Sequence, residues 1–181
     1  RTLQFNPVNP ATAKAGWELN QRDHRKLLIV DGRTVFLGGI NISSVYSGGS
    51  SGRASKARPT GAQPWRDTDL QIEGPVVAEF QKLFLATWLA QKGEPLAPRN
   101  FFPTLQAQGK EVVRAIGSSP DDEFSLIYVT LLSAIGSAET EVWLTNAYFI
   151  PDPQLLAALK AAAARGVDVR LVLPGRSDSA L

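Results

Sequence analysis

The feature that most constrains the fold is a pair of short apolar runs separated by a turn dipeptide. Residues Leu27–Val30 are apolar and β-branched at their end, which predicts a buried strand. Asp31-Gly32 suits a tight hairpin turn, and residues 34–37 have the composition of a returning strand. We therefore expect an antiparallel hairpin that a glycine pair at 38–39 brings to an end.

The residues just before this hairpin bring together groups that suit phosphate chemistry. His24 is the only histidine in the chain, and Lys26 follows two places later. In an extended segment, residues i and i+2 share a face and lie roughly 6.6 Å apart. An imidazole and a cation then point the same way, whereas Asp31 falls on the other face and organises the turn. Gly38 and Gly39 let a ligand or another strand approach the backbone closely. The plain alternative is a solvated His-Arg-Lys cluster at a strand start.

Composition narrows the class of protein without naming a partner. The net charge of +2 does not by itself argue for nucleic acid or an anionic surface. The absence of cysteine excludes disulfides and thiolate metal sites. Residues 124–135 form the longest nearly apolar run, about twelve residues, which is too short to span a bilayer. No signal peptide is visible, and the apolar content of 44% is typical of a globular chain.

A loop, a strand and a helix are predicted after the hairpin. Residues 43–64 are rich in Ser and Gly, which predicts a loop that is either a solvated insertion or a basic flap beside an anionic headgroup. The basic residues of this loop are Arg53, Lys56 and Arg58. Alternation over Asp69–Glu73 predicts a strand, and Gly74-Pro75 opens a helix that extends to Lys92.

The apolar face of that helix predicts where it packs. The spacing of its large apolar residues follows the helical period, which favours core packing for Trp88 over a role as a lipid anchor. The residues on this face are Val76, Val77, Phe80, Leu83, Phe84 and Trp88.

The rest of the chain predicts a linker followed by an alternating α/β block. Three prolines indicate a linker over residues 93–110. Beyond it, strands and helices alternate, which argues for parallel strands with right-handed crossovers. Gly166 closes the second helix of the block. The predicted strands are 111–116, 141–146 and 167–173, and the predicted helices are 122–137 and 153–165.

Several of these stretches together carry a family resemblance. Residues 23–32 (DHRKLLIVDG) and 38–43 (GGINIS) resemble the His-x-Lys-x4-Asp signature of the phospholipase D superfamily, in particular its bacterial cardiolipin synthase-like branch. Residues 65–69 with 73–75, residues 147–152, and residues 165–170 leading to 174–175 also fit that branch. The resemblance covers nearly the whole chain.

The resemblance implies a phospholipase D-like mixed sheet flanked by helices. Residues 1–92 then correspond to the C-terminal part of the family's first half, with the loop at 43–64. Residues 93–110 form the linker, and residues 111–181 form the β-α-β-α-β start of the second half. Family members carry two copies of the signature, but this chain carries one. We therefore expect an incomplete fold, a fragment that ends before the second copy.

The resemblance also implies a two-step exchange through a phosphohistidine. One histidine attacks a phosphatidyl phosphorus, the other protonates the departing alcohol, and a second alcohol or water releases the phosphatidyl group. Whether His24 is the nucleophile or the acid stays open. Lys26 holds a phosphate oxygen and Asn41 donates a further hydrogen bond. A carboxylate on the far ring nitrogen is best matched by Asp67, with Asp69 as the alternative.

The remaining site residues contribute to the signature or to substrate contact. Asp31 completes the catalytic signature, and Asp23 is less suited to the histidine because neighbours on a strand point to opposite faces. Tyr148 and Phe149 lie just after a strand, where they contact a headgroup or acyl chain or else pack in the core. The predicted substrate-binding set is Gly38, Gly39, Ser43, Asp69, Tyr148 and Phe149.

Three functions follow from this reading. The first is phosphatidyl transfer between phosphatidylglycerol molecules, which gives cardiolipin and glycerol without a metal or other cofactor. The second is hydrolysis by a phospholipase D or another phosphodiesterase. The third is a non-catalytic domain that binds lipid or protein.

The expected partners follow from the first function. They are a phosphatidylglycerol-like phospholipid, a membrane surface, and a second half-site from elsewhere in the protein or from a dimer mate. No nucleic acid is expected. The expected location is peripheral on a bacterial cell membrane, on a face left open, and the isolated chain is expected to be inactive unless two copies pair.

Overall fold

The computed structural model describes residues 1–5, 23–43, 66–118 and 123–175. The chain divides into two compact units, Arg1–Ala115 and Ile116–Leu181. The stretch predicted as a linker, residues 93–110, belongs to the first unit, and its Leu105 packs against that unit's core. The architecture is mixed α/β, as the sequence predicts.

The predicted hairpin is confirmed. Strand β1 (Leu27–Val30) pairs antiparallel with strand β2 (Thr34–Gly38), and Leu27 lies opposite Leu37. The turn between them places Asp31 at φ 53° and Gly32 at φ 65°, and the Arg33 N–H donates to the Val30 carbonyl at 3.0 Å. Asp and Gly are the residues that tolerate this left-handed conformation, which explains the turn at this dipeptide.

A third strand and a helix complete the first unit. Strand β3 (Asp69–Glu73) pairs antiparallel with β2, so that β2 is the central strand. Helix α1 (Val77–Ala90) packs on one face of this sheet and buries Val77 and Phe80 against Val35. The opposite face exposes apolar side chains, among them Leu28.

The end of α1 is held by its aromatic residues. Trp88 is half-buried and stacks on Phe84 with ring centroids 6.3 Å apart. The Trp88 indole N–H donates to the Glu94 carbonyl at 2.8 Å. Trp88 thus stacks on the exposed Phe84 and lies outside the buried cluster around Val35, Val77 and Phe80, so the core packing predicted for it is only partial.

The second unit contains the predicted parallel pair. Its elements are α2 (Leu126–Ser137), β4 (Glu141–Thr145), α3 (Pro153–Ala164) and β5 (Asp168–Val172). Strands β4 and β5 pair in parallel and are connected through α3. The buried core of this unit consists of Ile135, Leu159, Ala162 and Val167. No helix in the described ranges is long and apolar enough to cross a membrane.

One predicted strand is wrong, and one predicted helix is confirmed with a later start. The strand predicted at 111–116 is absent from that described stretch, where Val112 is 99% exposed. A strand needs a hydrogen-bonded neighbour, and none pairs with this stretch. The helix predicted to start at Asp122 begins at Leu126, because the Ser125 hydroxyl caps it by accepting from the Tyr128 N–H at 3.3 Å. Asp122 itself lies outside the described residues.

Candidate active site

One end of the three-stranded sheet gathers most of the predicted reactive residues. His24 and Lys26 immediately precede β1, Gly38 ends β2, and Asp69 begins β3 directly opposite Gly38. Asp67 comes two residues before Asp69 at the same end. Asn41 and Ser43, both exposed, follow β2.

Lys26 lies against the backbone of His24. The Lys26 ammonium donates to the His24 carbonyl oxygen at 2.6 Å. His24 is exposed and Lys26 is half-buried, so an anion in solution can reach the imidazole. Continuing the β1–β2 register by one residue places Lys26 opposite Gly38, and therefore in the same row as Asp69. The arrangement combines an exposed imidazole, an ammonium group held by a backbone carbonyl, and carboxylates at the same end of the sheet.

The two glycines seat the two candidate carboxylates. A Cβ atom on Gly38 would collide with the Asp69 carboxylate, and one on Gly39 would collide with the Asp67 carboxylate. The Ile40 N–H donates to Asp69 Oδ1 at 3.3 Å. The sequence predicts that these glycines admit a ligand or a strand. In the fold, the side chains of the neighbouring strand segment occupy that space.

Asp31 lies at the other end of the hairpin. Asp31 follows His24 by seven residues, which corresponds to roughly 23 Å of extended backbone. Asp31 is exposed in the turn at positive φ, which agrees with its predicted role as turn organiser. It therefore does not share a contact point with His24 in this unit.

The two residues that flank His24 form an ion pair that was not predicted from the sequence. Arg25 binds the Asp23 carboxylate through two bonds, Nε to Oδ1 at 2.9 Å and Nη2 to Oδ2 at 2.8 Å. The Arg25 backbone N–H also donates to Asp23 Oδ1 at 2.9 Å, and Nη2 donates to the Thr87 hydroxyl on α1 at 2.8 Å. We call Asp23, Arg25 and Thr87 the Arg25 clamp. The signal available in the sequence was the i, i+2 spacing of opposite charges on an extended segment.

The clamp also governs the charge state of Asp23. Partial burial raises the pKa of this carboxyl, but the hydrogen bonds and the charge of Arg25 outweigh burial and hold the pKa below its ordinary value of 3.8. Asp23 is therefore ionised and bound to Arg25, and the neighbouring His24 also contributes to lowering its pKa.

Next to the clamp lies a cavity of about 370 Å³ on the α1 side of the chain. Its walls combine the aromatic rings of Phe84 and Trp88 with the polar groups of Asp23, Arg25 and Thr87. Residues alternate along the extended segment, so this cavity lies behind the backbone that carries His24 and Lys26.

The second unit contains the predicted aromatic residues. Tyr148 is 55% exposed, and its N–H donates to Asn146 Oδ1 at 3.1 Å. Phe149 is half-buried and packs against the core of its own unit, which favours the core-packing alternative for this residue.

Asp152 makes two hydrogen bonds that connect α2 and α3 in the second unit. It caps α3 by accepting from the Leu155 N–H at 2.9 Å, and it accepts from the Tyr128 hydroxyl at 2.5 Å. The Tyr128 hydrogen bond and the cap lower the pKa of Asp152, and the same Tyr128–Asp152 bond raises the pKa of Tyr128.

The structure does not describe the predicted basic loop, and it bears on metal binding only within the described ranges. Arg53, Lys56 and Arg58 of the predicted basic loop lie outside them. Within the described ranges, no three His, Asp or Glu side chains lie close enough together to hold a metal ion.

Comparison with known proteins gives an independent view. Residues 131–181 match the family model described as cardiolipin synthase, PLD-like domain. The chain is 37% identical over 188 positions to cardiolipin synthase 1 of Bacillus anthracis, an alignment that covers 98% of this chain and 34% of the relative. It is 38% identical to cardiolipin synthase A of Pseudomonas fluorescens SBW25, covering 94% of the chain and 34% of the relative.

A third relative has the same extent. The cardiolipin synthase of Geobacillus kaustophilus is 36% identical over 97% of the chain and 33% of its own length. The chain thus spans about a third of the length of the curated relatives it matches. No solved structure matches it.

Proposed function

We propose that this chain, a member of the cardiolipin synthase-like branch of the phospholipase D superfamily, supplies one half of a site that transfers phosphatidyl groups. The observation that carries the proposal is the sheet end where His24, Lys26 and two glycine-seated carboxylates lie together. An exposed imidazole beside a fixed cation suits attack on a phosphodiester anion.

In the first step, a ring nitrogen of His24 attacks the phosphorus of the phospholipid. A bond forms between that nitrogen and phosphorus, and the bond from phosphorus to the headgroup oxygen breaks with its electron pair on the oxygen. Lys26 balances charge on a non-bridging oxygen, and Asn41 donates to another. A carboxylate, Asp67 or Asp69, accepts from the far ring nitrogen and stabilises the imidazolium.

The departing alkoxide needs a proton that His24 cannot supply while it is bound to phosphorus. The sequence holds a single histidine, so we assign this acid to a second signature, from elsewhere in the protein or from a paired copy. In the second step, the hydroxyl of an acceptor alcohol attacks phosphorus, gives its proton to that second group and releases His24. With phosphatidylglycerol as donor and acceptor, the products are cardiolipin and glycerol.

Hydrolysis is the second candidate function, because His24 is exposed and water can reach it as readily as an alcohol. The same intermediate then yields phosphatidic acid. For both phosphatidyl transfer and phospholipase D hydrolysis we propose an anionic phospholipid as substrate and the surface of a bacterial membrane as the place of reaction.

The decisive experiment incubates the protein at its native length with phosphatidylglycerol vesicles and identifies the products by mass spectrometry. We expect cardiolipin and glycerol in equal amounts. Phosphatidic acid without cardiolipin supports the hydrolase, and neither product with intact protein contradicts both. His24→Gln lowers the rate by at least about 10³-fold, because the nucleophile is lost. Lys160→Gln on α3 is the matched control and leaves the rate unchanged.

A second experiment uses this chain alone. Bis(p-nitrophenyl) phosphate has a leaving group that departs without an acid, so one half-site suffices for a single turnover. We expect one equivalent of p-nitrophenolate and an acid-labile phosphoryl adduct on His24. Catalytic turnover by the chain alone, with this ester or with phosphatidylglycerol, is not expected unless two copies pair. An adduct on any other residue contradicts the assignment of His24 as nucleophile.

A further inference from the structure

The Arg25 clamp surrounds the peptide that carries the proposed nucleophile. Asp23 and Arg25 are the two neighbours of His24, and their side chains close a ring of hydrogen bonds across it, at 2.8 and 2.9 Å. The His24 carbonyl is held in addition by Lys26 at 2.6 Å. The Asp23–Arg25 pair and the Lys26 hydrogen bond thus both restrain the backbone of His24. The proposed chemistry requires this residue to be oriented.

Thr87 connects this ring to the core of the unit. Its hydroxyl donates to the Leu83 carbonyl at 3.0 Å, so its lone pair faces Arg25, whose Nη2 donates to it at 2.8 Å. Helix α1 is in turn fixed to the sheet by Val77 and Phe80. The segment before β1 is therefore held by a hydrogen bond to α1, a helix that packs on the sheet.

The clamp faces away from the proposed substrate. Arg25 and Asp23 line the cavity on the α1 side, whereas His24 and Lys26 alternate to the other side of the same extended segment. The side chains of Arg25 and Asp23 are 39% and 22% exposed. Arg25 thus acts through the backbone of His24 and does not touch the phosphate.

We infer that Arg25 is a positioning residue whose clamp with Asp23 and Thr87 sets the orientation of His24 and Lys26 toward the phosphorus. This inference rests on the proposed function. Its physical basis is that a planar guanidinium binds a carboxylate through two parallel bonds, which an ammonium cannot reproduce. Misplacement of a reacting group by about 1 Å can cost a hundredfold in rate.

The test compares three variants of the chain in the single-turnover reaction with bis(p-nitrophenyl) phosphate. Arg25→Lys keeps the charge and loses the fork, and we expect its limiting rate to fall about tenfold with an unchanged half-saturation concentration. Thr87→Val removes the hydroxyl at constant size and lowers the limiting rate by a smaller factor. Thr87→Ser keeps the hydroxyl, and we expect it to keep the wild-type limiting rate.

A second arm needs no reaction. Amide ¹⁵N relaxation at residues 23–26 and the ring proton signals of the single histidine report the order of the segment directly. We expect increased motion there in Arg25→Lys and Thr87→Val, with α1 and the melting temperature unchanged, and wild-type order in Thr87→Ser.

The outcomes separate this inference from the function on which it rests. If wild-type His24 forms no adduct, the proposed nucleophile fails, whereas loss of order in Arg25→Lys still supports the clamp. A raised half-saturation concentration at unchanged limiting rate shows that Arg25 contacts the phosphate and overturns the inference. Unchanged rate in Arg25→Lys overturns it as well, whether or not the segment becomes more mobile.

Discussion

The two units of this chain carry different kinds of information about function. The family model matches residues 131–181 in the second unit, which contains the parallel β4–β5 pair and the alanine-rich α3. The proposed reactive groups lie in the first unit, at the end of an antiparallel sheet. The difference teaches that a family-model match and a set of proposed reactive groups are separate observations, whereas the alignments with the relatives extend over both units.

The glycines show the same contrast. In the first unit, Gly38 and Gly39 lie against the carboxylates of Asp69 and Asp67. In the second unit, a Cβ atom on Gly136 or Gly166 would meet nothing within 4 Å. Gly38 and Gly39 therefore make room for the two candidate carboxylates, whereas Gly136 and Gly166 border open space.

The largest difference in rate should appear between two glycine-to-alanine variants, one in each unit. Gly39→Ala forces the Asp67 carboxylate to move, and we expect the limiting single-turnover rate to fall by about ten- to a hundredfold. Gly136→Ala adds a methyl group inside α2 in open space, leaves the rate unchanged and stabilises the helix by about 1 kcal/mol. Circular dichroism confirms that both variants fold. Equal rates in the two variants would show that the position of the Asp67 carboxylate does not affect the reaction.

A smaller effect should distinguish two glycines with positive φ. Gly32 lies at φ 65°, and an added Cβ would sit 2.8 Å from the Phe101 carbonyl oxygen. Gly166 lies at φ 91° with open space around it. We expect Gly166→Ala to cost about 1–2 kcal/mol from backbone strain alone, and Gly32→Ala to cost about 1–3 kcal/mol more from the added clash.

Hydrogen exchange resolved by peptide measures these two costs separately for each unit. The Gly32→Ala variant should lose protection in β1 and β2, and Gly166→Ala in α3 and β5. A larger loss from Gly166→Ala would contradict the argument that close contact adds to strain at Gly32.

The smallest effect is a dependence of stability on acid. Asp23 has a folded-state pKa below its ordinary value of 3.8, so the folded state binds fewer protons than the unfolded state in this range. Its stabilising contribution is complete above pH 3.8 and is lost as the pH falls through the lower, folded pKa. Asp152 behaves in the same direction because of Tyr128 and the cap of α3, but it is fully exposed and its contribution is smaller.

Acid titrations of both units test this expectation. Asp23→Asn should flatten the acid limb of the first unit, followed by exchange in β1, and leave the second unit unchanged. Asp152→Asn keeps a capping oxygen and should change the second unit only slightly. An unaltered acid limb in Asp23→Asn would mean that the Arg25 pair does not contribute to folding.

Local patterns predicted much of the fold correctly. The apolar runs around Asp31-Gly32 predicted the hairpin, the apolar spacing from Val77 to Trp88 predicted α1, and the β-α-β order predicted a parallel pair. In each case, neighbouring residues determine the structure through backbone preference and periodicity. The strand predicted at residues 111–116 failed because its apolar residues had no neighbouring strand to pair with, and pairing is not a local property.

The candidate site likewise depends partly on local sequence and partly on tertiary contacts. The sequence by itself determined that one histidine and one lysine precede a short strand, that Asp31 makes a turn, and that a glycine pair ends the next strand. Only the tertiary structure decided that Asp67 and Asp69 lie over those glycines and that Arg25 reaches Thr87 on α1. These contacts join residues far apart in the chain, so they depend on strand register and helix packing, which are decided when the core of the first unit assembles.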